Sequence, residues 1–406
     1  MDSDSRLTRR TALRRLATTG GALTLGPGLL AACGSSRSST GGNAAAKGPI
    51  KIGVLTDLTG PYAVVGTSNR AVAEFAIDEI NAAGGVTGRN LQAVVVDSAS
   101  DPAAAAKVAS QLITRDKVDM VIGGITSAER EAVKGIIAGR GKTLYVWPAS
   151  YEGGECDEHV WNSGAVPNQQ IDPIVDYVLG KGAKTFFLCG DDYIYPRNIL
   201  KRVKEKVAAG GGRIVGEQYV PLSITDPAGL VSKVLKADAD ALFEIVVLPA
   251  TAPFIKGVVA GGYKGTIASS LFDEGITPLF GKGAQGLLSA QDYFHSIDDA
   301  FSKTKVEEFS KKYPKAIFAS TFNAPAWYRG LHLWAKAADA AGTVETAKVD
   351  AAMNDVSATR LIGGPAAFDP GTRHCTLPMY LGEMQGDGSV KVLKSSPHIA
   401  PQGQCA

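Results

Sequence analysis

The sequence predicts an α/β protein made of two doubly wound parallel-sheet lobes. The chain has 406 residues, which is more than one hydrophobic core usually accommodates. Short β-rich runs alternate with longer runs in which apolar residues recur at helical spacing. This alternation begins again after Pro167. Two units of the same architecture are therefore expected, each with helices on both faces of a parallel sheet.

The first unit alternates regularly between strands and helices. An apolar run predicts a strand at residues 50–55, and the helix predicted at residues 69–82 places Val72, Phe75 and Ile80 on one face. The pattern continues with strands at residues 91–96, 118–122 and 143–147 and helices at residues 102–115 and 128–139. Strands connected through helices run parallel, so this sheet is expected to be covered on both faces.

The second unit repeats the same order of elements. The predicted helices are residues 173–180, 196–209, 227–236 and 252–261, and the predicted strands are residues 185–189, 213–219, 241–247 and 266–269. Residues 301–341 add two helical patterns, whose aromatic residues Phe309, Tyr313, Trp327 and Trp334 we assign to the core.

The first 33 residues have the features of an export signal. Five arginines precede a short apolar stretch at residues 16–30, which contains Gly26 and Pro27 and is too short to span a bilayer stably. Residues 30–34, Leu-Ala-Ala-Cys-Gly, resemble a bacterial lipobox. We therefore predict that residues 1–33 are a signal peptide with a lipobox, that Cys33 is lipidated, and that residues 34–48 are a flexible tether.

The export route is not specified by this segment. The pair Arg9-Arg10 also resembles a twin-arginine signal, so both that route and the general route are compatible with the sequence. Without the signal, acidic and basic residues almost balance, which argues against a nucleic-acid partner.

The remaining four cysteines suggest one buried thiol and one disulfide. Cys189 ends an apolar strand pattern and is expected to be buried. Cys156, Cys375 and Cys405 lie in loop-like surroundings, and Cys375 with Cys405 is the preferred pair, although spacing does not determine connectivity. No spacing of cysteine or histidine resembles a metal site, and no cofactor is expected.

Candidate ligand-binding residues lie where strands end. In doubly wound sheets, ligands bind at the carboxyl ends of the strands, which are here followed by the loops at residues 56–62, 123–127, 147–153, 190–197 and 269–274. Hydroxyl and aromatic side chains dominate these loops and suit a small polar solute. Ser127 is either a ligand hydroxyl or a helix N-cap, or both. Tyr193 and Tyr195 are expected to face one cleft.

The sequence motifs do not favour catalysis. The Gly123-Gly124 pair lacks the remaining residues of a phosphate-binding loop, and no GxSxG elbow or nucleophile–base pair is present. An enzyme is therefore the least favoured of the function classes considered.

Over residues 50–390, the sequence resembles the type I periplasmic binding proteins of the branched-chain amino-acid importer class. The resemblance is carried by the sequences at residues 52–62, 78–89 and 328–334. The sequences Tyr-Glu-Gly at residues 151–153, Gly-Asp-Asp-Tyr-Ile-Tyr-Pro-Arg at residues 190–197 and Tyr-Val-Pro-Leu at residues 219–222 are similar to the branch that binds urea and short-chain amides.

The resemblance implies a ligand site, partners and a lobe organisation. The implied ligand-binding residues are Tyr62, Ser127, Trp147, Ala149, Ser150, Tyr151, Tyr193, Tyr195 and Asp273. The implied partners are a small solute and the permease of an ABC importer. Crossovers are expected near residues 164–167, 289–293 and 363–368, giving an N-terminal lobe of residues 49–165 plus 292–364 and a C-terminal lobe of residues 166–291 plus 365–398.

Three alternatives to urea or a short amide stay open at this point. Branched-chain or other amino acids would need groups for both a carboxylate and an ammonium, which Ser127 with Asp273 or Glu274 could supply. Asp191 adds a charge that would suit a cationic or larger amide-like solute. A sensing regulator would share the same loops, but the export signal and Cys33 argue against a cytosolic sensor.

Overall fold

The first sheet contains five parallel strands. The computed structural model describes residues 48–247 and 249–405. The parallel strands lie in the order β2, β1, β3, β4, β5, with the bounds β1 Ile50–Thr56, β2 Leu91–Asp97, β3 Met120–Gly123, β4 Leu144–Trp147 and β5 Val160–Asn162. The predicted parallel α/β arrangement is confirmed.

Helices cover both faces of this sheet because successive strand residues point to opposite sides. In β3, Met120 and Ile122 pack in one core cluster, whereas Val121 packs in another. The helices on the two faces are α1 Ala63–Ala82 with α9 Ala324–Ala341, and α2 Pro102–Gln111 with α3 Ser127–Lys134. Helix α8, Ala300–Lys312, and helix α10, Thr346–Met353, complete this lobe.

The second sheet repeats the arrangement. Its parallel strands lie in the order β7, β6, β8, β9, β10, with the bounds β6 Thr185–Asp191, β7 Arg213–Val220, β8 Ala241–Ile245, β9 Thr266–Ala268 and β10 Leu288–Gln291. Helix α4, Pro167–Gly180, packs on α5, Ile194–Ala209, while α6, Ala228–Ala237, packs on α7, Thr251–Ala260.

The carboxyl-terminal strands were not predicted from the sequence, and they displace the third crossover. They are β11 Ser357–Ala358, β12 Ala366–Asp369, β13 His374–Met384 and β14 Val390–Ile399. The first residues of β13 pair with β12 and β5 of the first sheet, whereas its later residues pair with β10 and β14 of the second. The chain therefore crosses within β13, near residues 376–377, rather than at residues 363–368, because the β12–β13 hairpin keeps the earlier segment on the first sheet.

Two helices begin earlier than the sequence pattern predicted. Helix α4 begins at Pro167 rather than at Pro173, which lies inside the helix. A proline at the first helical position has no backbone N–H to leave unpaired, so Pro167 favours this start. Helix α1 begins at Ala63 rather than at residue 69.

The disulfide differs from the expected pairing. Cys156 is bonded to Cys405, with the two Cα atoms 5.5 Å apart, whereas Cys375 is a free, buried thiol. Cys375 is not in a loop but in β13, opposite Phe368 of β12. The chain after β14 instead returns to the loop that follows Tyr151, where the Gly154 N–H donates to Gln404. Cys189 is buried, as predicted.

The predicted signal peptide, Cys33 and all but the last residue of the predicted tether lie outside the described residues. None of the helices in the described part of the chain combines the length and apolar character needed to cross a membrane. Of the four aromatic residues assigned to the core, Phe309, Trp327 and Trp334 are almost completely buried, whereas Tyr313, which follows α8, is half-buried and packs against the core.

Candidate ligand-binding site

A cavity of about 160 Å³ lies between the carboxyl ends of the two sheets. Residues from both lobes line it, because the strands of both sheets end at this cleft. The lining residues are Tyr62, Val65, Ile125, Thr126, Ser127, Ser150, Gln170, Tyr193, Tyr195, Val246, Val247, Ser270, Leu271, Ile276, Gln291, Ser320, Thr321, Phe322 and Asn323. Among these described residues, none carries a charged side chain.

The N-terminus of α3 forms one part of the first-lobe wall. Gly124 precedes it with a φ of +89°, and a Cβ at that position would approach the Trp147 ring to 2.4 Å, so glycine is required. Thr126 is the N-cap, and its side chain accepts from the Glu129 N–H while the Glu129 carboxylate accepts from the Thr126 N–H. This capping box satisfies the helix start without using Ser127.

Ser127 is therefore the first residue of α3 and not its N-cap. Its hydroxyl donates to Oε2 of Glu152 at 2.6 Å. The other oxygen of Glu152 accepts from Nη2 of Arg130 at 3.0 Å. The side chains of Arg130 and Glu152 are 4% and 3% exposed, so this ion pair is buried immediately behind the cavity wall.

Two tyrosines form the facing wall in the second lobe. Tyr193 is extended and directly precedes α5, while Tyr195 lies in the first turn of that helix. Their ring centroids are 6.4 Å apart, and the Tyr195 hydroxyl lies 3.3 Å from Oγ of Ser270. Burial raises the pKa of the Tyr195 phenol to about 12, so this group is a neutral hydrogen-bonding side chain at ordinary pH.

Gln170 and Gln291 contribute amide groups near the crossovers. Gln291 ends β10, and its Nε2 donates to the Ser270 carbonyl at 2.8 Å, which fixes the loop that carries Ser270. Gln170 lies in the first turn of α4 and is 2% exposed. Its Oε1 atom is buried and has no hydrogen-bond partner among the described residues.

The segment at residues 320–323, between α8 and α9, closes the cavity near the crossovers. The Ser320 hydroxyl donates to Oδ1 of Asp292 at 2.6 Å. Oδ2 of Asp292 accepts from Arg329 at 2.6 Å, and Nε of Arg329 donates to the Ser163 carbonyl at 2.8 Å. Because Ser163 and Asp292 adjoin the first two crossovers, Arg329 connects both of them to a residue of the cavity wall.

Several carboxyl groups lie behind the walls instead of in the cavity. Burial, together with a hydrogen bond to Glu129 and the charge of that residue, raises the pKa of Asp57 to about 7. Burial likewise raises the pKa of Asp191 to about 6 and that of Glu244 to about 8. Oδ2 of Asp191 accepts from the N–H of Val247, so this carboxyl group supports the wall from outside.

Five of the nine predicted site residues line the cavity. They are Tyr62, Ser127, Ser150, Tyr193 and Tyr195. They come from loops far apart in the sequence, and the two sheets bring these loops together at their carboxyl ends. The Ser150 N–H donates to the Asn323 side chain, which connects this loop to the segment at residues 320–323.

The other four predicted residues do not line the cavity. Trp147 and Ala149 are buried in the first-lobe core, which includes the buried face of β4. Tyr151 stacks on His374 and hydrogen bonds to its Nε2. Asp273 is completely buried, and its carboxylate accepts from the N–H and hydroxyl of Thr321 at 2.7 Å each. These residues support the walls and do not face the space between them.

Sequence reasoning missed several lining residues, among them Val246, Val247, Gln170 and the segment at residues 320–323. Val246 and Val247 follow β8, so the strand-end rule that identified the other loops could also have found them. Gln170 follows a crossover, and residues 320–323 lie between two helices. Neither of these positions follows a strand, so no local signal placed them at the cleft.

A sequence model of the periplasmic binding protein family matches residues 49–389. The chain belongs to this family. Leu/Ile/Val-binding protein homolog 6 of Brucella suis is 25% identical over 348 residues, which cover 82% of this chain and 87% of that protein.

Solved structures of ABC transporter binding proteins have the same fold. A solute binding protein from Rhodopseudomonas palustris, in complex with 4-hydroxybenzoate, is 25% identical with a TM-score of 0.75, covering 87% of this chain and 98% of that one. The branched-chain amino acid transporter substrate binding protein of Streptococcus pneumoniae, in complex with isoleucine, is 24% identical with a TM-score of 0.76, covering 87% and 100%.

As a member of this family, the chain is a periplasmic binding protein, which is a class of solute-binding proteins and not of enzymes. Family membership implies an extracytoplasmic location and a small solute as ligand. The predicted type I fold is confirmed.

Proposed function

We propose that this periplasmic binding protein captures urea or a short-chain amide and delivers it to an ABC importer. The observation that carries the proposal is the side chain of Gln170. It is 2% exposed in the cavity wall, and its Oε1 atom has no partner among the described residues. Buried polar groups are normally hydrogen-bonded. The Gln170 side chain lines the cavity, so a turn of its amide group towards the cavity would let a ligand supply the missing partner. An amide ligand can both donate to and accept from another amide.

The charge of the cavity supports a neutral ligand. Burying an ion without a counter-ion is costly, and the described lining residues offer hydroxyl, phenol and amide groups but no ionised side chain. An amino acid would need a partner for its ammonium group. Asp273, which we expected to be able to supply one, is instead bonded to Thr321 and Gly275 away from the cavity.

The size of the cavity suits a small ligand. An engineered apolar cavity of about 150 Å³ accepts benzene, which has six non-hydrogen atoms. The cavity here is similar, at about 160 Å³. Urea and acetamide fit with room to spare, and amides with a short or branched chain fill it more completely, packing against Val65, Val246 and Leu271.

Branched-chain amino acids are the second candidate. Leu/Ile/Val-binding protein homolog 6 of Brucella suis matches most of this chain at 25% identity, and its name refers to those ligands. A ligand of this kind would place its carboxylate near the N-terminus of α3, where Ser127 lies.

Ligand pairs of equal shape and different charge distinguish these candidates. We would measure the binding of acetamide and acetate, isovaleramide and isovalerate, and benzamide and benzoate by calorimetry, with urea and leucine in the same series. We expect the amide to bind more tightly in every pair that fits, and leucine not to bind. Tight binding of leucine, or of the acid in each pair, would contradict the proposal.

Replacing Gln170 with leucine tests the observation that carries the proposal. Leaving one or two hydrogen-bonding groups of the ligand unpaired costs about 1–3 kcal/mol, which corresponds to an approximately ten- to hundredfold weaker affinity for the amide. Gln92→Leu is the matched control, because Gln92 is exposed in β2, and its affinity should equal that of the wild type. Equal amide affinity in Gln170→Leu and Gln92→Leu would show that Gln170 does not contact the ligand.

We further propose that the exported protein is anchored to the membrane by lipid at Cys33, with residues 34–48 as the tether. The lipobox-like sequence at residues 30–34 supports this proposal. Metabolic labelling with an alkyne fatty acid should mark the wild-type protein and leave Cys33→Ala unlabelled. Equal labelling of the two proteins would exclude Cys33 as the anchor.

A further inference from the structure

We propose that Glu152 determines the ligand preference of the cavity by fixing the direction of the Ser127 hydroxyl. This inference rests on the proposed function, since it explains how the cavity favours an amide over the acid of the same shape. Glu152 does not line the cavity and therefore acts as a positioning residue through Ser127, which does.

The hydrogen bond between these two residues has only one possible direction. A serine hydroxyl has one proton and two acceptor lone pairs, whereas an ionised carboxylate only accepts. The Oγ of Ser127 lies 2.6 Å from Oε2 of Glu152, so the hydroxyl proton points away from the cavity and towards Glu152. The lone pairs of Oγ are then available to the ligand. An N–H group would bind there, but a carboxylate oxygen would meet lone pairs instead of a proton.

Glu152 is held in place from the opposite side. Its Oε1 accepts from Nη2 of Arg130, and the guanidinium carbon of Arg130 lies 4.6 Å from the Tyr151 ring centroid and 5.5 Å from that of Trp147. With the side chains of Glu152 and Arg130 3% and 4% exposed, water does not compete for the carboxylate. The direction of the Ser127 hydroxyl is therefore a fixed property of the site.

Glu152→Gln should reverse this direction. The glutamine carbonyl will face the Arg130 guanidinium, which only donates, so the glutamine NH₂ group will face Ser127 and donate to its Oγ. The hydroxyl proton of Ser127 is then free to point into the cavity, where it can donate to a carboxylate. We expect the ratio of amide affinity to acid affinity to fall at least about tenfold, since a lost hydrogen bond costs roughly 1 kcal/mol and a gained bond to a charged group contributes somewhat more.

Glu131→Gln is the matched control for charge. Glu131 accepts from the same Nη2 atom of Arg130, at 2.9 Å, but it does not contact Ser127 and its side chain is 51% exposed. Both variants therefore remove one carboxylate from Arg130, and only Glu152→Gln alters the partner of the hydroxyl. We would measure the dissociation constants of isovaleramide, isovalerate, benzamide and benzoate by calorimetry for the wild type and both variants.

The expected result is a tenfold or larger fall in the amide-to-acid ratio for Glu152→Gln and a change of less than about twofold for Glu131→Gln. Introducing Glu152→Gln into a Ser127→Ala background should leave the ratio unchanged, because the hydroxyl that transmits the effect is absent. A ratio in Glu152→Gln that equals that of Glu131→Gln, or an equal fall in the Ser127→Ala background, would overturn the inference while the proposed function stands. A wild-type protein that prefers the acids, or binds no amide, would contradict both.

Discussion

Replacing Arg329 with methionine is expected to lower the free energy of unfolding by about 3–5 kcal/mol, the usual cost of removing one partner of a buried ion pair. The Arg329 side chain is 2% exposed and bonds to Asp292 at 2.6 Å. Without Arg329, the Asp292 carboxylate stays buried, and the Ser320 hydroxyl is its one remaining side-chain partner among the described residues. Thermal unfolding of the wild type and the variant in ligand-free buffer measures this difference.

The matched control is Arg70→Met. Arg70 forms an ion pair with Glu74 on the surface of α1, with side chains 47% and 29% exposed, and exposed pairs of this kind contribute about 0–1 kcal/mol. A similar loss of stability in the two variants would mean that the Arg329 ion pair is not a major contributor. Adding Asp292→Asn to Arg329→Met should recover part of the loss, because the uncompensated charge is then removed.

Arg329→Met should also weaken ligand binding. Arg329 bonds to the Ser163 carbonyl and to Asp292, and Asp292 bonds to Ser320 of the cavity wall. Since Ser163 and Asp292 adjoin two crossovers, loss of Arg329 loosens the connection between the lobes as well as one wall of the cavity.

The stability of the protein is expected to fall as the pH rises from about 4 to about 7, in part because of Asp57. Burial, a hydrogen bond to Glu129 and the charge of Glu129 raise the pKa of Asp57 from 3.8 to about 7. Asp57 Oδ2 is buried, and among the described residues it has no partner other than Glu129, to which a protonated Asp57 carboxyl group would donate. The folded state retains this proton at pH values where the unfolded state has lost it.

The direction of this pH dependence follows from the linkage between proton binding and folding. Between the unfolded and folded pKa values the folded state binds more protons, so the contribution to stability is complete below about pH 4 and is lost as the pH rises through about 7. Asp191 and Glu244, whose pKa values are also raised, act in the same direction. His374, whose pKa is lowered to about 4 by burial, acts in the opposite direction.

Asp57→Asn isolates the contribution of Asp57 from those other groups. The asparagine NH₂ group can replace the carboxyl proton as a permanent donor to Glu129. We expect the variant to unfold at a higher temperature than the wild type at pH 8.5 and to lose this advantage at pH 5. A difference between the two proteins that stays the same at both pH values would show that Asp57 does not titrate as described.

Asp57→Asn should also reduce the pH dependence of ligand binding. Glu129 accepts from the N–H groups of Ile125 and Thr126, which directly precede Ser127. Repulsion between two ionised carboxylates at high pH would disturb this capping box, and Asp57→Asn removes the repulsion.

The sequence by itself determined the alternating strands and helices and therefore the fold class. These elements depend on local patterns of apolar residues, which can be read one segment at a time. Parallel strands place their carboxyl ends along one edge of a sheet, and ligands bind at that edge. This rule was enough to predict that Tyr62, Ser127, Ser150, Tyr193 and Tyr195 lie at one site. The strands at residues 366–399 were missed because neither a helical nor a strand-like spacing of apolar residues was recognised in this part of the sequence.

Only the tertiary structure decided which groups meet across the lobes. Cys156 lies 249 positions from Cys405 in the sequence, and no local pattern specifies that contact. Gln170 enters the cavity because the chain crosses between lobes just before α4. Asp273 does not line the cavity, because its carboxylate accepts hydrogen bonds from Thr321. Each of these outcomes depends on packing between segments that are distant in the sequence. A buried polar group needs a hydrogen-bond partner, and the local sequence does not specify which distant residue provides it.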